Sequence, residues 1–376
     1  MPASTLKSRR VVKKSRTILV SPLEWGLGHT TRLVPVINAC LEREWKVVIA
    51  ADGKPLDFLR QRFPDLQWEV LSFTPVHYSR KDHFIGSLIP QLPGFIRAVA
   101  KNRRQISGLA ERYAIDAIIS DHRYGLTHPG IPSVFISNQI WLLAPDGWQF
   151  AESLVYRIHK RILRKFTFCW LADFPGKPNF TGKQTHLPKG ESHSRFIGPI
   201  SRFIGMKDPP SPPSLSAKIL VILSGPEPQR SILENKIAEI LRHSREEIII
   251  LRGLPPPAGS PMPVPQKKGN LWWVDHTDDE TLAGLINYAE KIICRPGLSM
   301  LSDLAALGKT ALLIPTPGQT EQNYMAKRLA NQAYFGLVKQ ADLCMEIIDS
   351  FEPGMFKLFP RPDLTALDEA LDELFG

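Results

Sequence analysis

Short apolar runs of strand length alternate with helical periods along most of this chain, and the alternation happens twice. The first series is RTILVSP (16–22), KVVIAAD (46–52), LQWEVLSF (66–73), DAIISD (116–121) and PSVFIS (132–137). Helical stretches such as TTRLVPVINACLER (30–43) and GFIRAVAKNRRQISGLAERY (94–113) separate them. The second series is ILVILSG (219–225), EEIIILRG (246–253), NLWWVDH (270–276), KIICRPG (291–297) and TALLIPTPG (310–318), again with helical patterns between. Strands that each lead into a helix imply βαβ units and a parallel sheet, so the expected class is α/β.

Between the two series lies MKDPPSPPSLSAK, which has neither period nor apolar content and reads as a linker. At 376 residues the chain is long for one core. The expected division is a basic tail over 1–16, a first Rossmann-like domain over 17–205, a linker over 206–217, a second such domain over 218–350 and a helical end over 351–376. In that end, Leu364, Leu367, Leu371 and Leu374 keep near-helical spacing.

Ligands of open parallel sheets sit at the carboxyl ends of the strands, so each strand-to-helix turn is a candidate site. The first turn reads EWGLGHTTR, with Gly26 and Gly28 permitting close backbone approach and a helix start whose N–H groups favour an anion. His29 there is suited to be a general base, with Arg32 beside it; a tight turn with a capping histidine is the plainer alternative. Asp121 and His122, in ISDHRYG, end another strand of the same domain and would orient His29 or an acceptor. The second turn, LSGPEPQR, offers Ser224, Gly225, Gln229 and Arg230 to a phosphate, or is merely a proline-rich turn.

The third turn, CRPGLSMLSDL, opens a helix at Gly297, Leu298 and Ser299, with Arg295 before it and Asp303 one turn further on. A helix start can take a phosphate, and a carboxylate there can accept both hydroxyls of a ribose. In the fourth turn, PTPGQTEQN, Pro317 shapes a loop carrying Gln319, Glu321 and Gln322, which could read sugar hydroxyls. His276, at the end of NLWWVDH, joins them under the same rule.

The run from Asn270 to about Asn331 resembles the C-terminal donor domain of glycosyltransferase family 28. In that family an Arg-Ser-Gly-Ala turn leads to a helix whose Glu binds the ribose of UDP, and a later Pro-x-Pro turn contacts the sugar. Arg295, Gly297 and Asp303, then Pro315, Pro317, Gln319, Glu321 and Gln322, stand at equivalent spacings. Pro296 replaces the usual Ser, Asp303 the usual Glu, and SPLEWGLGHTTR a glycine-richer opening. The resemblance implies the GT-B architecture, two Rossmann-like domains facing a cleft, with the acceptor domain first and the nucleotide-sugar domain second. It implies inverting transfer of a sugar from a UDP-sugar to an acceptor hydroxyl. The opening also resembles the Gly-x-Gly-His turn of the UDP-sugar hydrolase of pseudaminic acid synthesis, so transfer and hydrolysis both stand open. A non-catalytic nucleotide-sugar-binding protein is a third reading. No cofactor is expected, and no Asp-x-Asp pair is present to hold a metal.

The formal net charge of +10 is concentrated in Lys7 to Arg16 and in YRIHKRILRKF (156–166). Neither cluster carries aromatics spaced to stack on bases, so nucleic acid is not an expected partner. Ile158, Ile162, Leu163 and Phe166 between the basic residues suggest a stripe facing an anionic membrane. Four cysteines without paired spacing fit reduced thiols, and the expected location is the cytoplasm, peripheral at the inner face of the plasma membrane.

Overall fold

The structure is a computed structural model that describes residues 15–24, 27–71, 92–145, 147–187, 193–206 and 215–375. Most of the basic tail, Gly26 and the middle of the linker lie outside the described residues.

The first sheet contains β1 (Thr17–Ser21), β2 (Lys46–Ala51), β3 (Gln67–Val70), β4 (Ala117–Asp121), β5 (Ser133–Ser137), β6 (Phe168–Leu171) and β7 (Ser194–Phe196). Their order is β3-β2-β1-β4-β5-β6-β7, every pairing parallel. Every residue of β4 and β5 is buried, as expected of central strands covered on both faces, which is why they read as continuous apolar runs. Its helices are α1 (Leu27–Glu42), α2 (Gly53–Arg62), α3 (Leu92–Tyr113) and α4 (Glu152–Leu163).

The second sheet contains β8 (Ile219–Ile222), β9 (Ile248–Leu251), β10 (Gln266–Lys268), β11 (Leu271–Val274), β12 (Lys291–Cys294), β13 (Leu312–Leu313) and β14 (Gly336–Leu337). The order is β10-β11-β9-β8-β12-β13-β14, and only the exposed edge strand β10 runs antiparallel. Around it lie α5 (Gln229–Leu241), α6 (Asp279–Tyr288), α7 (Leu298–Ala306), α8 (Thr320–Asn331), α9 (Met345–Ser350) and α10 (Thr365–Glu373).

In both sheets the strand order reverses beside the first strand, between β1 and β4 and between β8 and β12. The turns after these four strands therefore border the two crevices where such folds bind ligands. One buried apolar cluster joins the domains, running from α1 through Ile197, Ile200 and Phe203 to Leu301 of α7 and Leu367 and Leu371 of α10. α10 lies back against the first domain: Arg43 bonds Asp368 and Asp372 at 2.8 and 3.0 Å, and Arg195 bonds Glu369 at 2.7 Å. Such partly exposed pairs contribute under about 1 kcal/mol each, so the fully buried leucines, at about 1.5–3 kcal/mol each, hold the helix.

One expectation is corrected here. The stripe of Ile158, Ile162, Leu163 and Phe166 does not form, because Leu163 and Phe166 are buried against Phe135 in the core while Ile158 points outward at 55% exposure.

Candidate functional site

β1 delivers its chain directly into α1, and the third residue of that helix is His29. The neighbouring strand β4 ends at Asp121, one position beyond the Ser21–Ser120 pairing, so the two side chains meet at the crevice. His29 Nδ1 lies 3.0 Å from Asp121 Oδ1. Asp121 is fully buried, and Arg32 grips it twice, Nε donating to Oδ2 at 2.8 Å and Nη2 to Oδ1 at 2.5 Å. Burial pushes this carboxyl up, but the charges of Arg32 and His29 outweigh it and hold it well below the usual carboxylate range.

Arg32 Nη2 also lies 3.0 Å from His29 Nδ1. Nδ1 thus faces one donor and one acceptor; because an unprotonated Nδ1 would set its lone pair against the ionised carboxylate, we assign the His29 proton to Nδ1, donated to Asp121. Nε2 is then the free lone pair on a ring that remains 22% exposed. Arg32, expected beside the acceptor, is instead only 3% exposed and serves Asp121.

His122 completes the group, its Nδ1 3.0 Å from Asp121 Oδ1 and its Nε2 3.4 Å from Ser137 Oγ. Its φ of 55° lies in the left-handed region, a strain of about 1–3 kcal/mol for a side chain without special need of it. Burial lowers its pKa to about 4, so it stays neutral at physiological pH. His29, Asp121 and His122 offer three ligand atoms within 4.8 Å of one another. The guanidinium of Arg32 already occupies that carboxylate and would repel a cation, so the cluster suits an oriented base better than a metal.

Across the crevice stands the start of α7. Ser299 Oγ donates to the carbonyl of Gly28 at 2.6 Å, and a Cβ at Gly28 would lie 3.4 Å from that hydroxyl. Two helix N-termini thus meet at one place, and their positive ends repel unless a negative group lies nearby. Gly297 caps α7 with extended backbone, and Leu298 is buried behind it. After β8, Ser224 is exposed and Gly225 takes φ 98°, at the second crevice.

The fourth turn also closes on the first domain. Glu321, in the first turn of α8, accepts from Asn138 Nδ2, and Thr320 Oγ1 donates to the Leu143 carbonyl at 3.2 Å. Burial raises the Glu321 pKa, opposed by the charges of His29 and Arg32. Gln322 Oε1 instead accepts the Thr316 amide at 2.8 Å, Gln319 caps α8, and Pro317 is exposed. Asn138 was not singled out by sequence, although it directly follows a strand end, where the crevice rule points.

Three expected donor residues have other employment. Asp303 is buried, with Ser201 Oγ donating to it at 2.6 Å and Arg202 at 3.4 Å. Arg202 also bonds Asp279 at 2.8 Å, so this group ties α6 and α7 to the segment before the linker. Burial raises the Asp303 pKa to about 6 against the pull of Arg202. Arg295 is 1% exposed and gives its hydrogens to the carbonyls of Ile314, Pro315 and Gln229 and to Gln340 Oε1 at 2.6–3.2 Å. It is a strut between strand ends. Arg230 is bonded to Glu227 at 2.7 Å and to Glu234 at 2.5 Å within its own helix region. Gln229 contributes its carbonyl to Arg295, and His276 stands half-buried, edge-on to Phe58 at 5.9 Å.

Residues 234–353 match the glycosyltransferase family 28 C-terminal domain. Over 101 residues the chain is 30% identical to the UDP-N-acetylglucosamine--N-acetylmuramyl-(pentapeptide) pyrophosphoryl-undecaprenol N-acetylglucosamine transferase of Prosthecochloris aestuarii, a stretch that spans 26% of each protein. Among solved structures, MurG of Acinetobacter baumannii superposes with a TM-score of 0.53 at 13% identity, covering 96% of this chain and 99% of that one. The spinosyn rhamnosyltransferase SpnG, complexed with thymidine diphosphate, gives 0.55 at 15% identity, covering 96% and 92%. The second domain is therefore similar to the glycosyltransferase family 28 C-terminal domain over residues 234–353, and the whole chain has the two-domain GT-B fold of these solved structures.

Proposed function

We propose that the protein transfers a sugar from a nucleotide-diphosphate sugar, a UDP-sugar in our reading, to an acceptor hydroxyl, with inversion at the anomeric carbon. The observation that carries this reading is the oriented His29–Asp121 pair at one helix N-terminus, placed against the N-terminus of α7. A base and an anion-favouring surface stand together at a junction of the two domains, where attack and departure must both occur.

In this mechanism His29 Nε2 takes the proton of the acceptor hydroxyl, while Asp121 steadies the imidazolium that forms. The hydroxyl oxygen bonds to the anomeric carbon as the bond from that carbon to the diphosphate oxygen breaks. The electron pair leaves with the diphosphate, stabilised by the start of α7 and the Ser224–Gly225 turn. No cofactor or metal enters this scheme. Glu321 and Asn138 border the same crevice and suit recognition of sugar hydroxyls. Arg230, Arg295 and Asp303 are left out of the donor contacts, since their side chains are committed elsewhere. Four free cysteines, three of them buried, suit a reducing cytoplasm.

Nucleotide-diphosphate release from UDP-sugars, followed with and without candidate acceptors, tests the reading. Release that needs an acceptor supports transfer. Release at full rate in water alone makes the same dyad a hydrolase's base, and binding without release overturns the enzymatic reading.

A further inference from the structure

The last turn of α2 and the strand that follows it carry a second group of polar side chains, and the proposed reaction uses none of them. α2 ends at Arg62, Pro64 turns the chain, and β3 runs back past the helix, so that Arg60 comes to lie over Trp68. The guanidinium carbon sits 3.2 Å from the centre of the indole ring. Opposite stands the loop from Arg252 to Pro265, in which six residues are proline. Fixed φ angles stiffen such a segment, so it presents a wall whose shape is set before any ligand arrives. An ion pair of Arg62 with Asp279 at 3.3 Å and the edge-on contact of Phe58 with His276 hold α2 against the second domain.

Between helix and loop lies an open groove of about 700 Å³. Arg60, Gln61, Trp68, Gly259 and Ser260 line it, and among the described residues no acidic side chain does. The groove includes none of His29, Asp121, Ser299 and Glu321, which build the transfer crevice. Arg60 makes no hydrogen bond or ion pair among the described residues, and its Nε is buried without a partner. Its contact with the indole face leaves the N–H donors unused. The Trp68 indole N–H and the Ser260 hydroxyl likewise have no hydrogen-bond partner among the described residues, and Gln61 Nε2 reaches only the Met262 sulfur, at 3.6 Å. Trp68 itself is 40% exposed.

We infer that this groove binds an anionic sugar, a ring that bears a carboxylate or a phosphate. Every one of these free groups can donate a hydrogen bond, so together they select a ligand rich in acceptor oxygens, and the fork of Arg60 matches the paired oxygens of a carboxylate or phosphate. The exposed part of the indole offers an apolar surface to the C–H face of the ring, while Ser260 and Gln61 meet its hydroxyls. A nucleotide base fits less well: Arg60 already covers one face of Trp68, and among the described residues no second aromatic ring lines the groove to sandwich a base. The same chemistry is met in a free sugar acid or sugar phosphate and in a charged unit of a longer acceptor, and the test separates these sources. The inference stands apart from the proposed reaction, because binding is read with no nucleotide sugar present.

The test is an NMR titration of the full chain labelled at its indole nitrogens. The sequence holds eight tryptophans, and the signal absent from Trp68→Phe is that of Trp68. The ligands are glucuronic acid, glucose 1-phosphate, a hyaluronan tetrasaccharide, glucose, inorganic phosphate and adenosine 5′-phosphate. The expected result is saturable movement of the Trp68 signal with glucuronic acid or glucose 1-phosphate, at least about tenfold weaker with glucose and with inorganic phosphate. Arg60→Gln should weaken that binding about tenfold, and His29→Ala should leave it unchanged. Binding of the tetrasaccharide more than about tenfold tighter than glucuronic acid marks a unit of a chain, and equal binding marks a free sugar. Equal affinity for inorganic phosphate, tighter binding of adenosine 5′-phosphate than of either sugar, or a Trp68 signal that none of these ligands moves overturns the inference. So does sugar binding that Arg60→Gln leaves intact. Should Arg60→Gln fail to fold, the ligand series on the native chain decides.

Discussion

Asp121 and Arg32 form a buried two-bond pair whose carboxylate also faces His29, at 3.0 Å from its Nδ1. The guanidinium keeps Asp121 ionised, and the ionised carboxylate fixes the tautomer of His29. Asp121→Asn therefore loses the orientation while keeping the size. A fall in kcat of about 10²–10⁴ is expected, with donor affinity unchanged by calorimetry.

Removing the other partner has a different consequence. Arg32→Met leaves a fully buried carboxylate without its main cation, and unfolding in urea should show a loss of about 3–5 kcal/mol. Combining it with Asp121→Asn should cost much less than the sum of the two, because the uncompensated charge is gone.

His122 gives a pH signature. Its pKa is about 4 in the fold against an ordinary value of 6.5, so between these the unfolded chain binds more protons. Its contribution to stability is present above pH 6.5 and is lost as pH falls toward 4. His122→Gln should flatten the rise of stability with pH across that window, as measured by urea midpoints.

Asp303 acts with the opposite sign. Its carboxyl has a pKa of about 6 in the fold against an ordinary value of 3.8, so the folded state binds the extra proton in that range. Stability from this group falls as pH rises from 3.8 to 6, and Asp303→Asn should be at least as stable as the native protein at neutral pH. Calorimetry on the same variant separates its two readings: unchanged nucleotide affinity fits the tie to Ser201, and complete loss fits a ribose contact.

Much of this architecture was legible because buried parallel strands announce themselves. IILV-type runs such as β8 and β9 need no alternation when helices cover both faces. That His29 and Asp121 border one crevice follows from the strand-end rule, and their contact at 3.0 Å agrees with it. The commitments of Arg295, Arg230 and Asp303 were not legible, since a motif gives spacing along one chain segment and their partners come from elsewhere: Gln340, Glu234, Ser201. The face of α4 was misjudged for a related reason. Period alone places Ile158 and Leu163 on one stripe, whereas Phe135 of β5 decides that Leu163 turns inward.

The His29→Ala variant offers the decisive comparison, with nucleotide-diphosphate release and nucleotide affinity measured on the same preparation. The mechanism predicts acceptor-dependent release by the native chain, reduced at least about 10²-fold in the variant, with nucleotide affinity unchanged. Undiminished turnover in His29→Ala, or a native chain that binds no nucleotide diphosphate, would contradict it.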